Sequence, residues 1–178
     1  VFILLIDNLR YDQWKVIQPV IESVYRVQED EVYFSILPTA TQYARNALFS
    51  GLVPSEIEKK YPRWWVQESE EGTKNQYESE LFGELLKRYG KDIRYGYHKI
   101  LNLQAGRKFV DNLPNFMSNK LNILVYNFVD MLSHARTEME VIRELADDES
   151  AYRSLTLSWF RHSPLMEVIQ YLAAQNIT

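Results

Sequence analysis

The stretch Leu121-Asn122-Ile123-Leu124-Val125-Tyr126-Asn127-Phe128-Val129-Asp130 decides how the rest of this sequence reads. It is a nearly continuous apolar run, Leu121–Val129, that stops at a carboxylate. Strands of a parallel sheet are buried on both faces, so they carry such runs in place of polar alternation. A second run of the same kind, Val1–Ile6, stops at Asp7. Ile93–Tyr97 reads as a further strand. So does Val32–Leu37, where Val32, Phe34 and Ile36 alternate with Tyr33 and Ser35.

Helical patterns fill the gaps between these strands. Leu9 to Tyr25 reads as a helix interrupted near Pro19, since proline lacks the N–H that a helix interior uses. Thr41–Phe49 is closed by Gly51, with Pro54 beyond it. Tyr77–Tyr89 puts Leu81, Phe82, Leu85 and Leu86 on one face and ends at Gly90. Arg107–Met117 reads as a helix broken or kinked near Pro114. Ala151–His162 and Pro164–Ala174 follow, with Pro164 well placed in a first turn. Strands alternating with helices predict an α/β fold: a mostly parallel central sheet flanked by helices on both faces.

The chain has 178 residues, of which 46% are hydrophobic, 25% charged and 13% aromatic, the proportions of a globular domain. A single domain over residues 1–178 is expected, incomplete because it opens inside a strand and stops just after a helix. The polar segment Ser55–Gln76, with Glu68, Glu70 and Glu71 around Trp64-Trp65, reads as a surface insertion or lid. The longest apolar run is six residues, against about 20 for a membrane-spanning helix, so no membrane partner is expected. There is no cysteine, which excludes disulfides and thiolate catalysis and suits a cytoplasmic setting. With 20 basic and 24 acidic residues the net charge is −4, so bulk electrostatics do not draw in anions. An anionic substrate would need a local device: a metal cation, a helix N-terminus or a focused arginine.

Open α/β sheets bind ligands beyond the carboxyl ends of their strands. Asp7, in Ile6-Asp7-Asn8-Leu9-Arg10, is there either to coordinate a metal or to cap the next helix. Thr41, in Pro38-Thr39-Ala40-Thr41-Gln42-Tyr43-Ala44-Arg45, is either an N-cap or a nucleophile at a helix N-terminus that favours anions. Asp130-Met131-Leu132-Ser133-His134 offers a carboxylate and an imidazole at the spacing of zinc ligands. Its bland alternative is a helix-start aspartate beside a solvent-facing histidine.

The order of these features is more specific than any one of them. Strand–Asp, then Pro-Thr-x-Thr opening a helix that runs to Ser50-Gly51-Leu52-Val53-Pro54, then strand–Asp-x-x-x-His, resembles the alkaline-phosphatase superfamily. More narrowly it resembles a PglZ domain, closest to the PglZ half of PorX-like response regulators. The resemblance implies an alkaline-phosphatase-like fold and zinc-dependent hydrolysis of phosphoric esters, a phosphodiesterase acting on oligonucleotides. It gives Thr41 the role of nucleophile, Asp7 a zinc shared with Thr41, and Asp130 and His134 a second zinc. Gln42 through its N–H and Arg45 through its guanidinium are expected at the phosphate. The resemblance also implies an upstream receiver domain, with protein partners in signalling or a homodimer as further partners. The superfamily's remaining Asp-His pair and further His have no counterpart here, and Ala44 stands where phosphodiesterase relatives carry Asn. The alternative is a catalytically degenerate signalling module in a transcription or secretion pathway; a phosphosugar mutase shares the same superfamily site.

Other chemistry-bearing residues have plainer roles. Tyr61, Trp64, Trp65, Tyr95 and Tyr97 either stack bases or pack cores, and packing is the commoner use. His98 reads as a substrate-pocket contact or, more commonly for such a residue, a satisfied histidine, His162 as a helix-end residue, and Asp147-Asp148-Glu149 as a turn and helix start.

Overall fold

The computed structural model describes residues 1–66 and 73–177. In chain order these form β1 (Phe2–Ile6), α1 (Tyr11–Glu22), α2 (Thr41–Ser50), α3 (Pro54–Lys60), α4 (Glu78–Arg88), β2 (Tyr95–Ile100), α5 (Leu103–Phe116), β3 (Leu121–Tyr126), α6 (Phe128–Glu138), α7 (Glu140–Leu145), α8 (Glu149–His162) and α9 (Pro164–Ala174). The chain divides into two compact units, Val1–Asp30 with Arg94–Thr178, and Glu31–Ile93.

The first unit holds a parallel three-stranded sheet in the order β1-β3-β2, as the apolar runs predict for an α/β fold. Every residue of the central β3 is buried, so both of its faces are shielded. β1 is an edge strand and only half-buried, with Ile3 exposed. Asn122 is the polar exception within β3; its side chain donates to Phe116 O at 3.0 Å and accepts from Asn119 Nδ2 at 2.9 Å. That satisfaction is what lets an amide sit in a buried strand. Leu124 and Tyr126 join Ile17, Phe109, Leu113, Phe160, Leu165 and Ile169 in one core. α1 is tied to α8 by a buried hydrogen bond from Gln13 Nε2 to Thr156 Oγ1 at 2.8 Å.

Three expectations are corrected here. α1 runs through Pro19 and α5 through Pro114 without interruption. Both prolines lie on exposed faces, where water can reach the carbonyl that loses its partner. β2 spans Tyr95–Ile100 rather than Ile93–Tyr97, because its bounds follow those of β3: Tyr95 pairs with Leu121 and Ile100 with Tyr126. Val32–Leu37 forms no strand among the described residues, and Val32, Tyr33, Leu37 and, at 102%, Phe34 are exposed. Alternation makes a face, but a strand also needs a neighbour for its backbone groups.

The second unit contains α2, α3 and α4. Ile57, Trp65 and Leu81 form its core, with Tyr43, Leu52, Tyr61 and Trp64 packed around them. Part of the polar Ser55–Gln76 segment thus folds as α3 and supplies core residues; Glu68, Glu70 and Glu71 lie outside the described residues. Gly51 ends α2 in the left-handed region at φ +61°, the conformation that glycine adopts at least cost.

Candidate functional site

The carboxyl edge of the sheet is built from the ends of β1 and β3. Asp7 N–H donates to Tyr126 O at 2.8 Å, extending the ladder past Ile6. Asn8 then reverses the chain at φ +59°, a left-handed conformation that Asn tolerates better than most residues. α1 begins only at Tyr11, and its cap is Arg10, whose N–H donates to Gln13 Oε1 at 3.0 Å. Asp7 is therefore not the helix cap.

The longest apolar run does not stay extended to its end. β3 stops at Tyr126, and Phe128 already begins α6. Asp130 consequently sits in the first turn of a helix, where the unpaired N–H groups favour a carboxylate, and His134 follows one turn later with its side chain 67% exposed. Helical spacing brings the two together: His134 Nε2 lies 3.8 Å from Asp130 Oδ1. Two ligand atoms each about 2.0–2.1 Å from zinc sit about 3.3 Å apart at the tetrahedral angle and at most about 4.2 Å. At 3.8 Å the two atoms stand wider than the tetrahedral separation, so a shared ion would need the exposed His134 side chain to turn inward; carboxylate with imidazole is a donor set that zinc accepts. Glu138 Oε1 lies 3.9 Å from the other ring nitrogen, Nδ1, on the side where metal-bound histidines commonly meet a carboxylate.

Asp7 stands across the ladder from Asn127, since Ile6 pairs with Tyr126. Asn127 Oδ1 is buried and accepts no hydrogen bond among the described residues, an orphaned acceptor at the same strand end. No group of three or more acidic or imidazole side chains suited to a metal ion occurs among the described residues.

The remaining predicted site residues, Thr41, Gln42 and Arg45, belong to the second unit and share α2. Thr41 is the first helical residue; the N-cap is Ala40, whose carbonyl accepts from Tyr43 N at 2.9 Å and Ala44 N at 3.0 Å. The Thr41 hydroxyl thus does not cap the helix, and the backbone N–H groups of Thr41 and Gln42 fall in the turn with no intrahelical acceptor. The Gln42 side chain is occupied otherwise, donating to Val66 O at 2.6 Å. Arg45, expected at phosphate, is buried against Glu78: Nε lies 2.7 Å from Oε1, and Nη2 donates to Oε2 at 2.7 Å. Its fork is spent on α4, so it acts as a fastening between helices.

Several aromatic residues are packed together. Tyr61 stacks on Trp64 at 5.0 Å between ring centroids, and Trp64 on Tyr77 at 6.3 Å. His98 lies between Phe109 and Phe116 at 4.9 and 4.3 Å, and burial lowers its pKa. Its Nε2 is buried with no hydrogen-bond partner among the described residues, so it is not the satisfied histidine expected from sequence. Asp148 caps α8 by accepting from Ala151 N at 2.7 Å. His162 Nδ1 lies 2.8 Å from Ser158 O in the last turn of α8.

Sequence reasoning missed Glu78 and Asn127. Glu78 reads locally as an ordinary first-turn acid, and only the packing of α2 on α4 shows its partner. Asn127 was hidden inside a run read as strand.

No curated protein matches this chain. The family model for the BREX system PglZ alkaline phosphatase-like domain matches residues 1–178. From β1 and its Asp7, through the Thr41 helix, to β3 and the Asp130–His134 pair, the chain belongs to the PglZ alkaline phosphatase-like domain family.

Proposed function

We propose that this domain hydrolyses phosphoric esters, with Thr41 as nucleophile and with zinc held by Asp7 and by the Asp130–His134 pair. The observation that carries the proposal is Thr41 itself: it stands first in α2 with a hydroxyl that neither caps the helix nor bonds elsewhere among the described residues. A threonine kept at a helix N-terminus without a structural duty suits attack on an anion.

Bound zinc would supply positive charge against the phosphate and lower the pKa of the oxygen nucleophile. Thr41 Oγ loses its proton to solvent and forms the new bond to phosphorus as the ester bond to the departing oxygen breaks. The N–H groups of Thr41 and Gln42 point along the helix axis and donate to the equatorial oxygens, where charge builds up. Water then cleaves the phosphothreonine and returns the hydroxyl. Asp130 and His134, one helical turn apart, would hold an ion between them, with Glu138 beside the other ring nitrogen. The resemblance to the PglZ half of PorX-like regulators supports oligonucleotides as substrates and a receiver domain upstream.

The test is turnover of bis(4-nitrophenyl) phosphate by the zinc-loaded protein that carries this domain. Thr41→Ala is expected to lower the rate by at least about a thousandfold, with stability unchanged. Asp130→Asn with His134→Ala is expected to reduce the zinc retained after dialysis, measured by elemental analysis. A Thr41→Ala protein that turns over as fast as the wild type would end the proposal.

A further inference from the structure

The first unit contains a cavity of about 430 Å³ that none of the proposed catalytic groups lines, a size ordinary for a small-ligand site. Its walls come from the turn after β1 and from α6, α7 and α8, and include Arg10, Ser133, Arg136, Thr137, Arg143 and Tyr152. Three guanidinium groups around one cavity are unusual in a chain of net charge −4.

Two of the three are held rigidly. The Arg10 and Arg136 guanidinium carbons lie 5.4 and 4.9 Å from the centre of the buried Tyr152 ring. Glu149 pairs with both, at 3.0 Å to Arg136, and Asp12 bonds Arg10 at 2.6 Å while also bonding Arg153 at 3.1 Å. Those carboxylates offset much of their charge and fix their direction. Arg143 differs: it is exposed and makes no ion pair among the described residues, so its guanidinium is open to a ligand. Asp147 is the one carboxylate on the wall itself.

This chemistry selects its ligand. Guanidinium forks match phosphate oxygens in bidentate fashion, and the hydroxyls of Ser133 and Thr137 add neutral donors. The Tyr152 ring is already taken up by two guanidiniums, which leaves it unsuited to stacking a base. The lining suits a phosphate better than a nucleobase. It also adjoins the proposed ligands along the chain, since Asn8 on its wall follows Asp7 and Ser133 precedes His134.

We propose that this cavity binds a second, non-scissile phosphate of the substrate, so that the domain favours esters carrying more than one phosphate, oligonucleotide backbones among them. The inference rests on the phosphoester-hydrolase proposal above and adds the substrate feature that it reads. It also provides a local device for drawing a polyanion to an acidic chain.

The test reads binding separately from turnover. Fluorescein-labelled hexathymidylate is titrated into the metal-free full-length protein at low salt and followed by anisotropy. Arg143→Glu is expected to weaken binding at least about tenfold, and Arg143→Lys less than about threefold. Lys108→Glu, an exposed charge reversal on α5, serves as the control and is expected to change binding less than about twofold. Turnover of bis(4-nitrophenyl) phosphate, which has no second phosphate, by the zinc-loaded wild type reads the hydrolase proposal separately. Wild-type binding by Arg143→Glu, or equal weakening by Lys108→Glu, would overturn the cavity's role. Arg143-dependent binding without any turnover would keep the cavity and sink the hydrolase; turnover without Arg143-dependent binding would do the reverse.

Discussion

Arg45 on α2 and Glu78 on α4 form an ion pair whose side chains are 6% and 0% exposed, joined through two contacts of 2.7 Å. Asn75 Nδ2 adds a weaker bond to Glu78 Oε1 at 3.3 Å. Removing water from two charges is expensive, and the pair is tolerated because each neutralises the other. Arg45→Met or Glu78→Leu alone should therefore lower stability by about 3–5 kcal/mol in urea unfolding. The double variant should recover most of that loss. Single variants within about 1 kcal/mol of the wild type would mean that water reaches the pair.

Thr41 should behave unlike the residues that cap helices. Asn102 accepts from Ala105 N at 2.8 Å, and Asp148 from Ala151 N at 2.7 Å. Replacing either with Ala should lower stability by about 1 kcal/mol. Thr41→Ala should stay within about 0.5 kcal/mol of the wild type by the same unfolding measurement. A loss for Thr41→Ala as large as for Asp148→Ala would give its hydroxyl a structural duty.

Burial holds the His98 pKa below the usual histidine value, between Phe109 and Phe116. The unfolded chain therefore takes up a proton there before the folded chain does. Stability should fall as pH drops below about 6.5, the unfolded value, toward the lower folded one. His98→Leu removes this dependence, so its stability relative to the wild type should improve as pH falls from 7.5 to 5. A ratio that moves the other way would show that the folded protein welcomes the imidazolium.

Stronger acid should act where α1 meets α8. Hydrogen bonds from Arg10, with that of Arg153, hold the Asp12 carboxyl down at about 2. A carboxylate depressed in the folded state contributes stability that is present above the unfolded value, about 3.9, and is lost as pH falls through the folded value. Asp12→Asn should lower stability at pH 7 by no more than about 1 kcal/mol, because the group is partly exposed. The gap to wild type should close between about pH 4 and pH 2, followed by thermal unfolding. A gap that persists at pH 2 would mean the carboxylate's charge is not what holds the two helices.

The one-dimensional pattern determined whatever short-range chemistry controls. Gly51 stops α2, Pro164 starts α9, and the nearly continuous apolarity of Leu121–Tyr126 marks the central parallel strand. Each of these depends on a residue's own backbone freedom or on burial of a contiguous run. Tertiary structure decided the rest. Val32–Leu37 has the alternation of a strand but no strand neighbour among the described residues, and Pro19 sits in a helix that packing sustains. Asp130 lies on a helix because the chain turns at Asn127, an event hidden inside an apolar run. Arg45 looked free for phosphate until Glu78, 33 positions away, occupied its fork. Likewise, the arginines of the α6–α8 cavity are scattered over positions 10 to 143, and only the folded backbone gathers them around one space. Charge pairs and cavities are made between elements, so their partners leave no mark at neighbouring positions of the chain.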